Sequence, residues 1–156
     1  MDLGIDLAYY KFIKNIPIYS ITVVEREEEI IKTMLILSKQ LKMDPLWTKE
    51  FFHMQMFTNN IVQTYFYKQW LNGTKLPDFP SINIVVSRQK IDHINNQLLD
   101  SAKKSLIIRQ ENNCSKKLSN ISSDVAKSHK FNKEMIRLFD NYALSNVCLS
   151  ISKHTP

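Results

Sequence analysis

Between Phe52 and Trp70 the stretch FHMQMFTNNIVQTYFYKQW reads as one long amphipathic helix, and the residues on its inward row constrain whatever is built around it. Steps of four and three along that row give Phe52, Met56, Asn59, Gln63, Phe66 and Trp70, which share one face of an α-helix. Asn59 and Gln63 interrupt an otherwise apolar seam. A buried amide left unpaired costs roughly 1–3 kcal/mol, so each needs a neighbouring helix or a bound ligand. Polar interruptions of the same kind on other helices would favour the ligand.

The ends of this helix are marked. Asp44-Pro45 is an N-cap followed by proline at the first helical position, and Asn72-Gly73 is a stop before the proline-held connection KLPDFPS. Upstream, residues 2–14 carry Leu3, Leu7 and Tyr10 at helical spacing, with Lys11 one turn after Leu7. Ile16-Pro17-Ile18 breaks that helix. Residues 19–24, YSITVV, are locally strand-like but have no partner strand, so they read as a lead-in loop. A helix over 25–42 follows with the seam Glu27, Ile30, Met34, Leu37, Leu41 and its acidic run at the positive helix end, and Arg26 lies beside the seam. Downstream, a helix over 84–108 has the seam Ile84, Arg88, Ile91, Asn95, Leu98, Ala102, which puts Arg88 at a core position. Two shorter helices are predicted over 115–128 and 132–149. With only two glycines for turns, a sheet-rich fold is disfavoured. The predicted fold is all-α: a single domain over 1–156, a bundle of about six helices in which three long ones form a pocket.

Charge and cysteine usage exclude several functions. The formal charge of +6 raises nucleic acid as a partner. However, the C-terminal cations, among them Lys103, Lys104, Arg109, Lys116 and Lys117, are dispersed among acidic and serine residues, with no aromatic interleaving, so no nucleic-acid binding is expected. No run approaches about eighteen apolar residues, and the start MDLGIDLAYYK has neither a basic nor a clean apolar signal region, so no membrane span is expected and any export signal would already be removed. There is no CxxC, and His53, His93, His129 and His154 show no metal-binding spacing, so no metal site is expected. Cys114 and Cys148 bracket the two C-terminal helices, which fits a disulfide of an exported protein or two buried thiols.

What remains is a set of polar residues on or beside apolar seams: Lys11, Asn59 with Gln63, and Arg88, with Arg26 and Glu27 at the mouth of a fourth helix. Several cations short of matching carboxylates suggest a pocket for an anion, with carboxylate the best fit to an arginine fork and a lysine point charge. The sequence shows no Ser/His/Asp set, no Cys/His pair and no phosphate loop. Such a site binds and orients an anion and has little acid–base or covalent machinery.

At these residues the chain resembles the all-helical AroQ-class chorismate mutases, most closely their secreted gamma subclass. The resemblance runs through Lys11 ahead of Pro17-Ile18, Arg26-Glu27 ahead of Asp44-Pro45, Gln63 ahead of Trp70, SRQKIDHINNQLL from Ser87 to Leu99, and the cysteine pair. It implies a pericyclic rearrangement of chorismate to prephenate with no cofactor, a homodimer, an exported protein and a Cys114–Cys148 disulfide. It also implies that Lys11 and Gln63 flank the breaking ether oxygen and that Arg88 binds one carboxylate. Arg26 would hold the other directly or through water, Glu27 would meet the ring hydroxyl, and Asn59 stands where relatives carry Ser or Thr. The chain departs from the pattern at Val23, where relatives have Asp, and in a longer loop before Arg26. The position of a further family arginine, counted back from Lys11, falls one before Met1, so a longer precursor carrying it is expected. The alternative function is a non-catalytic bundle of the same fold that binds an anion or a protein partner.

Overall fold

In the computed structural model, which describes residues 2–78, 82–128 and 132–149, the chain is helical throughout its regular elements. These are α1 (Asp2–Ile13), α2 (Ile21–Gln40), α3 (Pro45–Leu71), α4 (Ile84–Lys104), α5 (Leu106–Arg109), α6 (Cys114–Ser128) and α7 (Lys133–Leu138), which continues into a π-helical turn, Phe139–Ala143. No strand occurs among the described residues. The fold class is therefore all-α, as predicted.

The boundaries of α3 are those read from its caps. The Asp44 carboxylate accepts from the Leu46 amide at 2.8 Å, and Pro45, which has no amide hydrogen to leave unpaired, takes the first helical position. At the other end Gly73 adopts φ +86°, and the Gly73 and Thr74 amides bond back to the Trp70 and Gln69 carbonyls at 3.1 and 3.0 Å. This paired return is a Schellman motif. The same motif ends α1 with Asn15 (φ 53°) and α2 with Lys42 (φ 54°) in the left-handed region. There Ile16 bonds to the Lys11 carbonyl and Met43 to the Ser38 carbonyl.

Helices α1 and α3 run in the same direction. Gly4 abuts Asn59 and Val62, and a helical span later the Phe12 ring lies 5.2 Å from Tyr67 and 5.6 Å from Trp70. Helix α2 returns antiparallel to α3, with Glu27 beside Asn60 and Ile30, Ile31 and Met34 in one cluster with Trp47, Phe51 and Phe52. Leu99 and Ala102 of α4 complete that apolar core. Helix α3 is thus covered on several sides, and its buried residues include Thr58, Asn60 and Val62 besides the anticipated Phe52, Gln63 and Trp70.

One buried cation closes the bundle near the start of α3. Arg109, 3% exposed, donates through Nη1 to the Ala102 carbonyl at 3.0 Å and through Nε to the Val147 carbonyl at 2.8 Å. Its guanidinium lies 3.7 Å above the Trp47 ring. Trp47 itself donates to the Asn146 carbonyl at 2.7 Å, and Leu149 returns a bond to the Arg109 carbonyl. The C-terminal segment is pinned by these contacts and by a Cys114–Cys148 disulfide.

Three boundaries differ from the sequence reading. Helix α2 begins at Ile21, within the stretch read as a loop; its β-branched residues are weak helix formers, and packing against α3 overrides that preference. The helix predicted over 84–108 breaks at Ser105. The Ala102 carbonyl, which a continuing helix would use, accepts from Arg109 and from Ser105 Oγ. The last predicted helix stops short and becomes the π-turn, against which Gln55 Nε2 donates to the Ala143 carbonyl at 2.6 Å.

Two measurements test this account. The disulfide closes a loop across a sequence separation of 34, so reduction is expected to lower unfolding free energy by about 3–4 kcal/mol in urea titrations; unchanged midpoints would mean that Arg109 and Trp47 hold the segment alone. Lys42→Gly relieves a left-handed lysine and is expected to raise stability by about 1 kcal/mol, read the same way.

Candidate active site

The Schellman end of α1 and the buried Ile18 behind it place Lys11 against the α1–α2 loop, where its ammonium donates to the Ile18 carbonyl at 3.0 Å. One of three donors is used in this way, leaving two for a ligand. Burial pulls the Lys11 ammonium down from its ordinary 10.5 to about 8, with the Glu27 carboxylate opposing the fall and the Arg88 guanidinium adding to it. Lys11, Glu27 and Arg88, from α1, α2 and α4, therefore share one electrostatic neighbourhood.

The third side of that neighbourhood is α3. Asn60, 6% exposed, donates through Nδ2 to Glu27 Oε1 at 2.7 Å, which ties the α2 carboxylate to α3. Gln63, one turn further on and 2% exposed, has an Oε1 with no hydrogen-bond partner among the described residues. The Gly4–Asn59 and Phe12–Tyr67 contacts set the register of α1 on α3, so that Ala8 is level with Gln63 and Lys11 lies within a further turn. A buried amide oxygen without a partner costs about 1–3 kcal/mol. It can accept from a ligand hydroxyl or, with the amide reversed, offer Nε2 to a ligand oxygen.

Arg26 is already engaged. Its Nη2 donates to both oxygens of Asp92 at 2.5 and 2.7 Å, and its Nη1 to Glu29 at 3.3 Å. Burial works against this charge, but the bonds and charges of Asp92 and Glu29 outweigh it and hold the guanidinium above its ordinary value. A cleft of about 170 Å³ opens beside this pair, lined by Arg26, Ile30, Thr33, Met34, Asp92, Asn95 and Asn96. Lys11, Glu27, Gln63 and Arg88 do not line it, so this cleft is separate from the Lys11 neighbourhood.

The residues singled out from sequence thus divide. Lys11, Glu27 and Arg88 come together electrostatically, with Gln63 on the adjoining face of α3 and Arg26 one residue from Glu27. Asn59 is placed differently. Its Oδ1 sits over the α1 backbone, where an ideal Cβ on Gly4 would approach it to 2.6 Å, so it occupies the helix crossing. Arg88 does not occupy a core position: it is exposed, and Ser87 is the buried residue there. The inward face of α4 is Ile84, Ser87, Ile91, Asn95, Leu98, Leu99 and Ala102, because a small hydroxyl enters the interface where a guanidinium would need its own partner. Asn60 escaped the sequence reading, although steps of four from Phe52 through Met56 reach it.

These helices define a class of fold. No protein-family model matches the sequence, and no curated protein matches it. The structure is similar to that of the chorismate mutase from Burkholderia phymatum, with TM-score 0.85 and 17% identity over 95% of this chain and 88% of that one. It is also similar to that of the chorismate mutase from Burkholderia thailandensis, with TM-score 0.81 and 20% identity over 94% and 90% of the two chains. At these identities the likeness shows the fold: the chain has the all-helical chorismate mutase architecture.

Lys11 also leaves a mark on stability. Below pH 8 the folded chain bears the full cost of a buried ammonium. Between about 8 and 10.5 it releases the proton before the unfolded chain does, and stability rises with pH. The stability advantage of Lys11→Met over the parent is therefore expected to shrink across that interval in urea titrations; a constant difference would refute the lowered value.

Proposed function

We propose that the protein is a chorismate mutase that rearranges chorismate to prephenate without a cofactor. The observation that carries the reading is a half-buried ammonium, Lys11, that feels the charges of the Glu27 carboxylate and the Arg88 guanidinium, near a buried amide oxygen without a hydrogen-bond partner among the described residues, in a fold shared with two chorismate mutases. A pericyclic step needs no acid, base or nucleophile. It needs the substrate held in its compact conformer and charge on the breaking ether oxygen stabilised.

In this reading the two free donors of Lys11 face the ether oxygen and one carboxylate, and Gln63 donates to the ether oxygen from the other side. Glu27, with Oε1 held by Asn60, would accept the ring hydroxyl on Oε2. Arg88, exposed and mobile at its tip as long side chains are, would close on a carboxylate from α4. Arg26 would reach the other carboxylate by exchanging part of its contact with Asp92 or through water. Asn59 serves the helix crossing instead of the ligand. Export is supported by the disulfide, a bond that persists in oxidising compartments, and no described helix is long and apolar enough to cross a membrane. Assembly as a homodimer belongs to the same reading.

Chorismate loss with prephenate formation by the purified protein is the direct test, and no turnover above the uncatalysed rate would refute it. Replacing Lys11 by alanine is expected to cost about 10²–10³-fold in kcat. The parent kcat/KM is expected to be level from about pH 5 and to fall above pH 8 as Lys11 loses its proton. The kcat limb should lie higher, because a bound dianion stabilises the ammonium. Gln63→Glu must be protonated to donate, so it should confine activity to the acid side; an unchanged profile would remove Gln63 from the site.

A further inference from the structure

The acidic run at the start of α2 contains Glu25, Glu27, Glu28 and Glu29, and only Glu27 is drawn inward while the other three are exposed. Helical spacing puts Glu27 on the inward row with Ile30 and Met34, but spacing alone does not keep a carboxylate there. A half-buried carboxylate loses hydration, and without a donor it would turn to water as its neighbours do. The donor is Asn60, buried at 6% exposure, whose Nδ2 lies 2.7 Å from Glu27 Oε1. The bond also biases where the second carboxylate oxygen points, because a donor prefers to lie near the plane of the carboxylate it bonds.

We infer that Asn60 is a positioning residue of this site, holding the Glu27 carboxylate on the Lys11 side of the bundle so that one oxygen and the negative charge face the ligand. It acts through Glu27 and touches neither the ligand nor the reacting atoms. The charge it holds in place is one that Lys11 feels, since Glu27 opposes the loss of the Lys11 proton. The inference rests on the mutase reading for its kinetic consequence, while its geometric consequence stands on the Asn60–Glu27–Lys11 arrangement itself.

The test is a double-mutant cycle. Asn60→Leu, and Asn60→Ala in case leucine overpacks, are made in the parent and in a Glu27→Ala background, with helicity and urea midpoints confirming that each variant folds. Two quantities are measured: kcat/KM for chorismate, and the Lys11 titration midpoint from side-chain carbon NMR, assigned by its loss in Lys11→Met. With Glu27 present, each Asn60 variant is expected to lower kcat/KM about tenfold or more and to move the Lys11 midpoint by about half a unit. With Glu27 absent, neither quantity should respond. Equal kinetic losses in both backgrounds, or a Lys11 midpoint indifferent to Asn60, would overturn the inference and leave Asn60 a packing residue. If the parent protein fails to turn over chorismate, the mutase reading fails by itself, and the Lys11 midpoint then decides the positioning role alone.

Discussion

Polar side chains buried in the middle of α3 have to be paired, and the way they are paired organises one end of the molecule. Asn60 and Gln63 are buried where the helix is covered on several sides, so each needs a partner from the fold or from a ligand. Asn60 takes the Glu27 carboxylate, which draws the start of α2 against α3. That docking leaves Arg26, one residue earlier, facing α4, where Asp92 receives it. Gln63 Oε1 has no hydrogen-bond partner among the described residues. The same packing buries the Lys11 ammonium and lowers its proton affinity.

The opposite end of α3 solves a different problem with a different cation. Arg109 is more deeply buried than any residue of the candidate site's cationic set, and its Nε and Nη1 go to carbonyls while its guanidinium lies on the face of Trp47; Nη2 has no hydrogen-bond partner among the described residues. Arg109 therefore works as a structural clamp, binding α4, α3 and the C-terminal segment together where the disulfide also acts. The apolar cluster between these ends, built on Phe51, Phe52, Met34 and Leu99, fixes the axis of α3. Polar positions further along the helix are then presented at defined places. A buried cation by itself therefore says little about function.

Local signals carried a large part of the architecture. Asp44-Pro45 and Asn72-Gly73 delimit α3 because capping is a property of a few adjacent residues, and the observed bounds, Pro45–Leu71, coincide with them. The all-helical class followed from periodicity and scarce glycine for the same reason. Lys11, Glu27 and Gln63 could be picked out because each interrupts or flanks an apolar row. The break at Ser105 could not be read this way, since it depends on Arg109 taking the Ala102 carbonyl. Nor could the start of α2, whose β-branched residues favour strand when considered alone.

The sequence by itself determined that the chain is built of helices, where the long central helix begins and ends, and that polar groups interrupt its buried face, because spacing and capping act over one or two turns. Only the tertiary structure decided which of two adjacent asparagines meets the α2 carboxylate, that Arg88 lies at the surface while Ser87 enters the interface, and that Arg26 is held by Asp92. A rotation of one residue on a helix is about 100°. Periodicity alone cannot resolve that when a helix is covered on several sides, and a pairing across more than thirty residues of chain exists only once the helices have docked.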